Sequence, residues 1–249
     1  MDKIKIIILA AGKGVRMQNE LPKVLIPLYG KPLIMHLLDS IKKSGIGGKP
    51  VIVVGQQREL VMKTLGTDYD YIVQEEQLGT GHAVLCTKKY LENKTDNVMV
   101  LAADHPLPSS QTIRKLAETH IQSQNILTMA TAVLTDFNDW RFGFYKSFSR
   151  IVRDENGNIL KSVEFKDTNE EEKKIKEINP FFFCFKAKWL WDNLETIKND
   201  NAQQEYYLPD LVKKAIEEKQ LVGSIEVDPR EALGANSKED LKILENLAA

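Results

Sequence analysis

The stretch Leu9-Ala10-Ala11-Gly12-Lys13-Gly14-Val15-Arg16-Met17 carries the chain out of an apolar run into a glycine loop that leads on to Leu21-Pro22-Lys23. Two glycines directly after a buried strand let the backbone approach an anion closely and turn its N–H groups toward it. Arg16 and Lys23 would add a planar fork and a point charge that stabilise phosphates. The loop therefore predicts a phosphate cradle.

Two familiar phosphate loops are excluded by the same residues. The spacing GxxxxGK followed by Ser or Thr is absent, and Met17 stands where the dinucleotide fingerprint GxGxxG needs its third glycine. A tight turn without a ligand is the alternative that this loop alone leaves open.

The first half of the chain alternates between the hydrophobic period of a strand and that of a helix. Strand-like apolar runs bounded by turn residues occur at residues 5–10, 51–55, 71–74, 98–103 and 126–134. Helical stripes occur at residues 33–41, between Pro32 and Gly45, and at residues 59–65, 82–91 and 109–122. This alternation predicts an α/β fold with a mostly parallel central sheet flanked by helices, whose ligands bind beyond the carboxyl ends of the strands.

The second half changes character after about residue 135. Residues 149–165 read as two strands joined at Asn156-Gly157, which is a strong hairpin signal. Further predicted elements are a charged helix or lid at 169–177, a strand at 179–185 and helices at 205–219 and 237–247, the last opened by a near capping box of Ser237 and Asp240. No linker separates the halves, so this half is interpreted as a β-rich substrate-binding insertion on one domain.

The composition is that of a soluble globular protein, with 43% hydrophobic and 28% charged residues. Lys and Arg number 34 against 35 Asp and Glu, so no global basic field favours nucleic acid or anionic lipid as a partner. The apolar run before Gly12 is too short for a membrane span. Cys86 and Cys184 have no metal-ligand spacing and suit reduced thiols, so we expect a cytoplasmic protein.

Two further segments follow predicted strands at the ligand edge of the sheet. Residues 74–83 begin with the amide of Gln74 and pass through a Gly-Thr-Gly turn, which offers donors and acceptors to the edge of a nucleobase. Asp104 follows the strand at 98–103 and presents a hard oxygen suited to Mg²⁺, although an Asp that caps the loop before Pro106 is the alternative. His82 begins an apolar helix face, which favours a structural hydrogen bond over a role as catalytic base.

These motifs resemble those of a known family. The loop of residues 9–17 with Pro22-Lys23 resembles the signature of the sugar-phosphate nucleotidylyltransferases, and residues 74–83 closely resemble the uracil-binding stretch of N-acetylglucosamine-1-phosphate uridylyltransferases. The resemblance implies a Rossmann-like fold of the nucleotide-diphospho-sugar transferase type. It implies transfer of a uridylyl group from UTP to N-acetylglucosamine 1-phosphate or a similar sugar 1-phosphate, with release of pyrophosphate and with Mg²⁺ as cofactor.

The resemblance also assigns roles to residues. Arg16 and Lys23 are the implied catalytic residues. The implied nucleotide-binding residues are Leu9, Ala10, Ala11, Gly12, Gly14, Gln74, Gln77, Gly79, Thr80, Ala102 and Ala103. The implied sugar-binding residues are Gly143, Glu164 and Asn179, and the implied metal ligands are Asp104 and Asn236. The chain departs from the family at Val15, Ala103 and Pro180 and in an apparent insertion at residues 144–149.

On this basis residues 1–249 are expected to form one nucleotidylyltransferase domain, with a nucleotide-binding half at 1–135 and a sugar-binding half at 136–249. No hexapeptide repeats follow, so a C-terminal acetyltransferase domain is not expected. We expect a monomer or small homo-oligomer. The alternatives are a nucleotidylyltransferase for another base or sugar, such as glucose 1-phosphate, and a non-catalytic UDP-sugar-binding regulatory protein.

Overall fold

The fold is taken from a computed structural model that describes residues 4–12, 14, 17, 20–135, 145 and 148–247. In chain order the strands are β1 (Ile4–Ala10), β2 (Pro27–Leu28), β3 (Lys31–Pro32), β4 (Val51–Val54), β5 (Asp70–Val73), β6 (Asn97–Ala102), β7 (Leu127–Val133), β8 (Ser149–Arg153), β9 (Ile159–Val163), β10 (Glu177–Asn179), β11 (Phe183–Lys186) and β12 (Val222–Glu226). The helices are α1 (Leu33–Ser44), α2 (Arg58–Leu65), α3 (Thr80–Leu85), α4 (Lys88–Leu91), α5 (Ser110–Gln122), α6 (Ala187–Leu194), α7 (Asp210–Glu217) and α8 (Lys238–Asn246).

The first half forms the predicted parallel sheet. Its strands lie in the order β5-β4-β1-β6, and each neighbouring pair is parallel. β1 runs beside β6 with Ile4 opposite Asn97 and Leu9 opposite Ala102. Because parallel strands bring their carboxyl ends to one edge, the loops that follow β1, β5 and β6 meet at that edge, as the sequence predicted.

Helices cover both faces of this sheet. On one face Ile6 and Ile8 of β1 pack in a core with residues of α1 and α5, such as Leu37 and Leu116. On the other face Ile7 packs with residues of α3, α6 and α7, such as Leu190. The alternation of β1 side chains between the two cores is the period of two that a strand imposes. The predicted α/β architecture with helices on both faces is confirmed.

The sheet forks between its two halves. β11 is antiparallel to both β6 and β7, with Phe183 opposite Val100 on one side and Met129 on the other. β10 pairs with the same edge of β7, farther along that strand. The opposite edge of β10 pairs with β8, and β8 pairs in turn with β9. β12 completes the sheet as a parallel partner of β7. The strands thus diverge where β10 passes into β11, and a cleft opens at that point.

The prediction of one strand at residues 179–185 is therefore wrong. Pro180 has no N–H for a sheet ladder, and Phe181 adopts a left-handed conformation with φ of 67°. The side-chain oxygen of Asn179 accepts a hydrogen bond from the Phe181 backbone N–H at 2.8 Å and stabilises this turn. β10 and β11 consequently join different neighbours, a long-range outcome that an unbroken aromatic run does not reveal.

Three helix predictions also need correction. The pattern at residues 82–91 gives α3 and α4 separated at Thr87, whose hydroxyl donates to the Val84 carbonyl. The predicted helix at 205–219 begins only at Asp210, because the segment before it pairs with another loop. The charged helix or lid predicted at 169–177 is a short 3₁₀ turn, Glu172–Lys174, which ends before β10.

Other local predictions are confirmed. Gly45 ends α1, and Ser237 and Asp240 form the complete capping box of α8. The hairpin of β8 and β9 turns through Asn156-Gly157. None of the helices in the described part of the chain combines the length and the apolar character needed to cross a membrane. The boundary between residues 135 and 136 falls next to residues outside the described ranges, and the single-domain organisation stays a prediction.

Candidate active site

A cleft of about 730 Å³ lies at the carboxyl edge of the parallel strands, beside the fork in the sheet. Its lining includes Leu9, Ala10 and Gly12 from the end of β1 and Ala102 and Asp104 from the end of β6. The second half of the chain contributes Glu164, Asn179 and Asn236 to the opposite side. The cleft thus contacts both halves of the chain.

Gly14 allows the chain to fold back tightly at the end of β1. It has a φ of +59°, and a Cβ added to it would lie 2.9 Å from the Cβ of Lys23. Because a side chain there would displace Lys23, glycine lets the loop and Lys23 approach each other. Arg16, Lys13 and Val15 lie outside the described residues, so the predicted catalytic role of Arg16 stays a prediction.

Lys23 joins residues from three distant parts of the chain. Its ammonium donates to the Asp104 carboxylate and, at 3.1 Å, to the side-chain oxygen of Asn236. The backbone holds the same arrangement, since Ala235 N–H donates to the Asp104 carbonyl at 2.9 Å. Two residues that the sequence assigned to a metal therefore converge on one cationic group. Among the described residues no group of three or more His, Cys, Asp or Glu side chains could hold a metal ion.

The environment of Asp104 favours its ionised form. Burial alone would raise the pKa of this carboxyl, but the nearby Lys23 ammonium and His105 outweigh burial, and the pKa of Asp104 lies below its usual value. Burial lowers the pKa of His105, whose ring packs edge-on against Phe148 and Phe182. Burial of the site thus disfavours protonation of the His105 ring, while the neighbouring Lys23 ammonium favours the ionised form of Asp104.

The segment predicted to bind a nucleobase packs against a loop of the second half. Tyr206 N–H donates to the Leu78 carbonyl at 2.8 Å, and Gly81 N–H donates to the Tyr206 carbonyl at 2.7 Å. The hydroxyl of Thr80 accepts from Leu208 N–H at 3.0 Å. A Cβ on Gly79 would lie 2.7 Å from both the nitrogen and the carbonyl oxygen of Tyr206, so only glycine fits this contact.

The same segment also lies near the end of β1. The side-chain nitrogen of Gln77 donates to the Gln74 carbonyl at 3.4 Å. A Cβ on Gly55 would lie 2.8 Å from that nitrogen and 2.7 Å from the Ala11 carbonyl oxygen. The predicted base-binding and phosphate-binding segments are therefore neighbours at one edge of the sheet.

Glu164 and Asn179 lie on the side of the cleft formed by the second half. Ser149 donates to the Glu164 carboxylate at 2.7 Å, and the Asn179 amide donates to Ser162 at 3.1 Å. Burial raises the pKa of Glu164 to about 7, with further contributions from the charges of Asp210, Asp167 and Glu205, although the Ser149 hydrogen bond opposes the shift. Gly143, predicted beside them, lies outside the described residues, as do residues 144, 146 and 147 of the apparent insertion.

Glu164→Gln is expected to stabilise the protein by about 1–3 kcal/mol at pH 8. A glutamate in the unfolded chain ionises near its usual pKa of about 4.3, below the folded pKa, so the folded state of the wild type loses stability as pH rises toward 7. The gain of the variant over the wild type should therefore grow between pH 5 and pH 7 and then level off. Urea unfolding at each pH measures this difference.

Glu155→Gln is the matched control, because Glu155 is exposed in the turn between β8 and β9. It should leave the pH profile of stability unchanged. A Glu164→Gln stability gain that is the same at pH 5 and pH 8 would contradict the proposed burial of a carboxylate.

Sequence reasoning missed several residues of the cleft. Phe148, Ser149, Lys166, Gln203 and Tyr207 all line it. Gln203 donates to the Tyr207 hydroxyl at 2.7 Å and accepts from Lys166 at 2.6 Å. The contact of residues 201–210 with the Gly-Thr-Gly turn joins positions far apart in the chain and has no local signal.

Comparison with known proteins agrees with this architecture. A solved structure of a UDP-glucose pyrophosphorylase complexed with UDP-glucose is similar with a TM-score of 0.75, covering 100% of this chain and 98% of that one at 18% sequence identity. At that identity the likeness concerns the fold, which is the Rossmann-like nucleotide-sugar transferase type. Residues 6–210 match the family model of the MobA-like NTP transferase domain.

The chain belongs to the MobA-like NTP transferase domain family. It is 40% identical over 241 residues to the bifunctional protein GlmU of Clostridium novyi, covering 97% of this chain and 51% of that protein. It is 38% identical over 243 residues to the bifunctional protein GlmU of Desulfotalea psychrophila, covering 96% of this chain and 69% of that protein. The chain spans about half the length of the Clostridium relative, and the family membership predicted from its motifs is confirmed.

Proposed function

We propose that this chain transfers a uridylyl group from UTP to N-acetylglucosamine 1-phosphate and releases pyrophosphate. The observation that carries the proposal is the contact of the Lys23 ammonium with both Asp104 and Asn236, in a cleft bordered by a glycine loop. The similarity to the GlmU proteins along nearly the whole chain supports the choice of substrates. A cytoplasmic location and a monomer or small homo-oligomer stay predictions.

The reaction needs little covalent chemistry from the protein. An oxygen of the sugar 1-phosphate attacks the α-phosphorus of UTP, a new P–O bond forms, and the bond to the β-phosphate breaks with its electrons leaving on pyrophosphate. The nucleophile is already an anion, so no side chain must remove a proton. The backbone around Gly12 and Gly14, Lys23 and, by the family resemblance, Arg16 would position the phosphates and reduce their repulsion.

Asp104 and Asn236 suit Mg²⁺, since both offer oxygen atoms and both lie within hydrogen-bonding reach of one ammonium group. One cation can therefore contact the two side chains at once. When bound there, Mg²⁺ would supply charge neutralisation for the phosphates. Lys23, freed from part of its pairing, would then be available to the phosphate oxygens.

The remaining roles follow the two sides of the cleft. We assign the base of UTP to Gln74, Gln77, Gly79 and Thr80, and the ribose phosphates to the backbone of residues 9–12 and 102–103. Glu164, Asn179 and Gly143 would receive the sugar. A carboxylate suits this task because it accepts hydrogen bonds from sugar hydroxyls. Glucose 1-phosphate is the second candidate acceptor, favoured by the fold shared with a UDP-glucose pyrophosphorylase.

The experiment that tests the proposal measures pyrophosphate release by the purified chain with Mg²⁺, for each nucleoside triphosphate against N-acetylglucosamine 1-phosphate and glucose 1-phosphate. We expect release that requires UTP and N-acetylglucosamine 1-phosphate together and that stops when EDTA removes Mg²⁺. Another productive pair would change the substrates within the same class. Binding of UDP-sugar without release from any pair would replace the enzyme by the regulatory protein.

A further inference from the structure

The amide of Gln74 is held by hydrogen bonds at the end of β5. Gln74 is only 3% exposed, and its side-chain nitrogen donates to the Gly79 carbonyl at 3.1 Å. The same nitrogen lies 3.0 Å from Nδ1 of His82, in the first turns of α3. Both hydrogens of the amide nitrogen therefore have a partner.

These contacts determine which way the amide faces. A backbone carbonyl can only accept, so the atom facing Gly79 must be the nitrogen of Gln74 and not its oxygen. Since that nitrogen also donates to His82, Nδ1 of His82 must be the unprotonated acceptor. The ring proton then lies on Nε2, which is 3.9 Å from Sγ of Cys86. Burial raises the pKa of Cys86, so its thiol is a neutral partner for that N–H.

The oxygen of the Gln74 amide is not engaged by the groups that hold the nitrogen. No described residue donates a hydrogen bond to it, and it is absent from the fully buried polar atoms that lack a partner. Because the nitrogen is fixed on the side of Gly79 and His82, the oxygen points away from them. An acceptor in this position suits a base that carries an N–H on its ring edge.

We propose that His82 is a positioning residue that holds Gln74 with its oxygen toward the base and thereby selects uracil over cytosine. The inference rests on the proposed function. Uracil carries a donor at N3, where cytosine has an acceptor, so a fixed amide oxygen pairs with the first and opposes the second. Loss of the His82 acceptor leaves Gly79 as the sole restraint, and the amide then samples orientations that no longer discriminate.

Calorimetric titration of UTP and of CTP, each with Mg²⁺, tests this with the wild type and four variants. In His82→Ala the ratio of the two dissociation constants should fall about three- to tenfold, which is the loss of one hydrogen bond. His82→Asn should restore the ratio, because its oxygen is attached to Cγ as Nδ1 is. In activity assays KM for UTP should rise in His82→Ala with kcat unchanged.

Gln74→Leu and the double variant Gln74→Leu/His82→Ala complete a double-mutant cycle. If His82 acts through Gln74, His82→Ala should change the ratio of the UTP and CTP dissociation constants only when Gln74 is present. An equal effect in both backgrounds, or an unchanged ratio in His82→Ala, would overturn the inference even though the wild type prefers UTP. A wild type that binds neither nucleotide would instead remove the proposed function, so the two failures are distinguishable. Thermal unfolding of each variant checks that nucleotide binding is compared between folded proteins.

Discussion

Replacing Lys23 with alanine is expected to lower turnover by about 10²–10³-fold, the effect of removing one positioned charge from phosphates in the transition state. The ammonium contacts Asp104 and Asn236 in the structure and lies in the cleft. Its removal leaves the charge of Asp104 without its main partner, so the repulsion between carboxylate and phosphates is no longer offset. Steady-state pyrophosphate release, with kcat and KM determined separately, measures the loss.

Lys31→Ala is the matched control for this variant. Lys31 pairs with Asp39 and is 34% exposed, and it is not part of the cleft lining. Lys31→Ala should therefore keep turnover within about twofold of the wild type, because exposed ion pairs contribute little. A loss of less than tenfold in Lys23→Ala, in a protein that remains folded, would remove Lys23 from the catalytic residues.

The second large effect is expected for Gly79→Ala, which should destabilise the protein by about 3 kcal/mol and weaken UTP binding. Gly79 has a φ of 110°, which side chains rarely adopt, and the new Cβ would meet two backbone atoms of Tyr206 at 2.7 Å. The clash would separate the two loops joined by Leu78 and Tyr206. It would also shift the carbonyl that accepts from Gln74, so both stability and base binding should suffer.

Gly66→Ala separates the effect of backbone strain from the effect of the clash with Tyr206. Gly66 also has a positive φ, of 78°, but a Cβ there would meet nothing within 4 Å. It therefore carries the backbone strain without the clash. Urea unfolding of both variants should show a markedly larger loss for Gly79→Ala, and equal losses would mean that the contact with Tyr206 contributes nothing.

Local signals in the sequence were enough to predict the parallel half of the fold. Each strand there is an apolar run that ends at a turn residue, and α1 shows its stripe between Pro32 and Gly45, so pattern and structure agree to within a residue or two. The carboxyl-edge rule then predicted that the segments after β1, β5 and β6 would meet. The prediction that Asp104, Gln74 and the glycine loop lie at this edge needed only that rule.

The second half depended on contacts that no local pattern encodes. The run of phenylalanines around Phe183 reads as one strand, but the left-handed turn at Phe181 divides it between two neighbours. Tyr206 was placed in a predicted helix, whereas its backbone pairs with Leu78 more than a hundred positions earlier. Asn236 was assigned only through the family resemblance, because an Asn before a helix is otherwise an ordinary cap.

The position of β11 affects the order in which the sheet can form during synthesis and which fragments of the chain can fold. Phe183–Lys186 fills the gap between β6 and β7, two strands that are both complete by residue 133. A nascent chain that has emerged only as far as β7 thus exposes the edge of β6, whose buried valines are prone to pairing with other chains. The sheet around β6 can be completed only after residues 183–186 have been synthesised, and a fragment ending near residue 135 is expected to aggregate and not to fold alone.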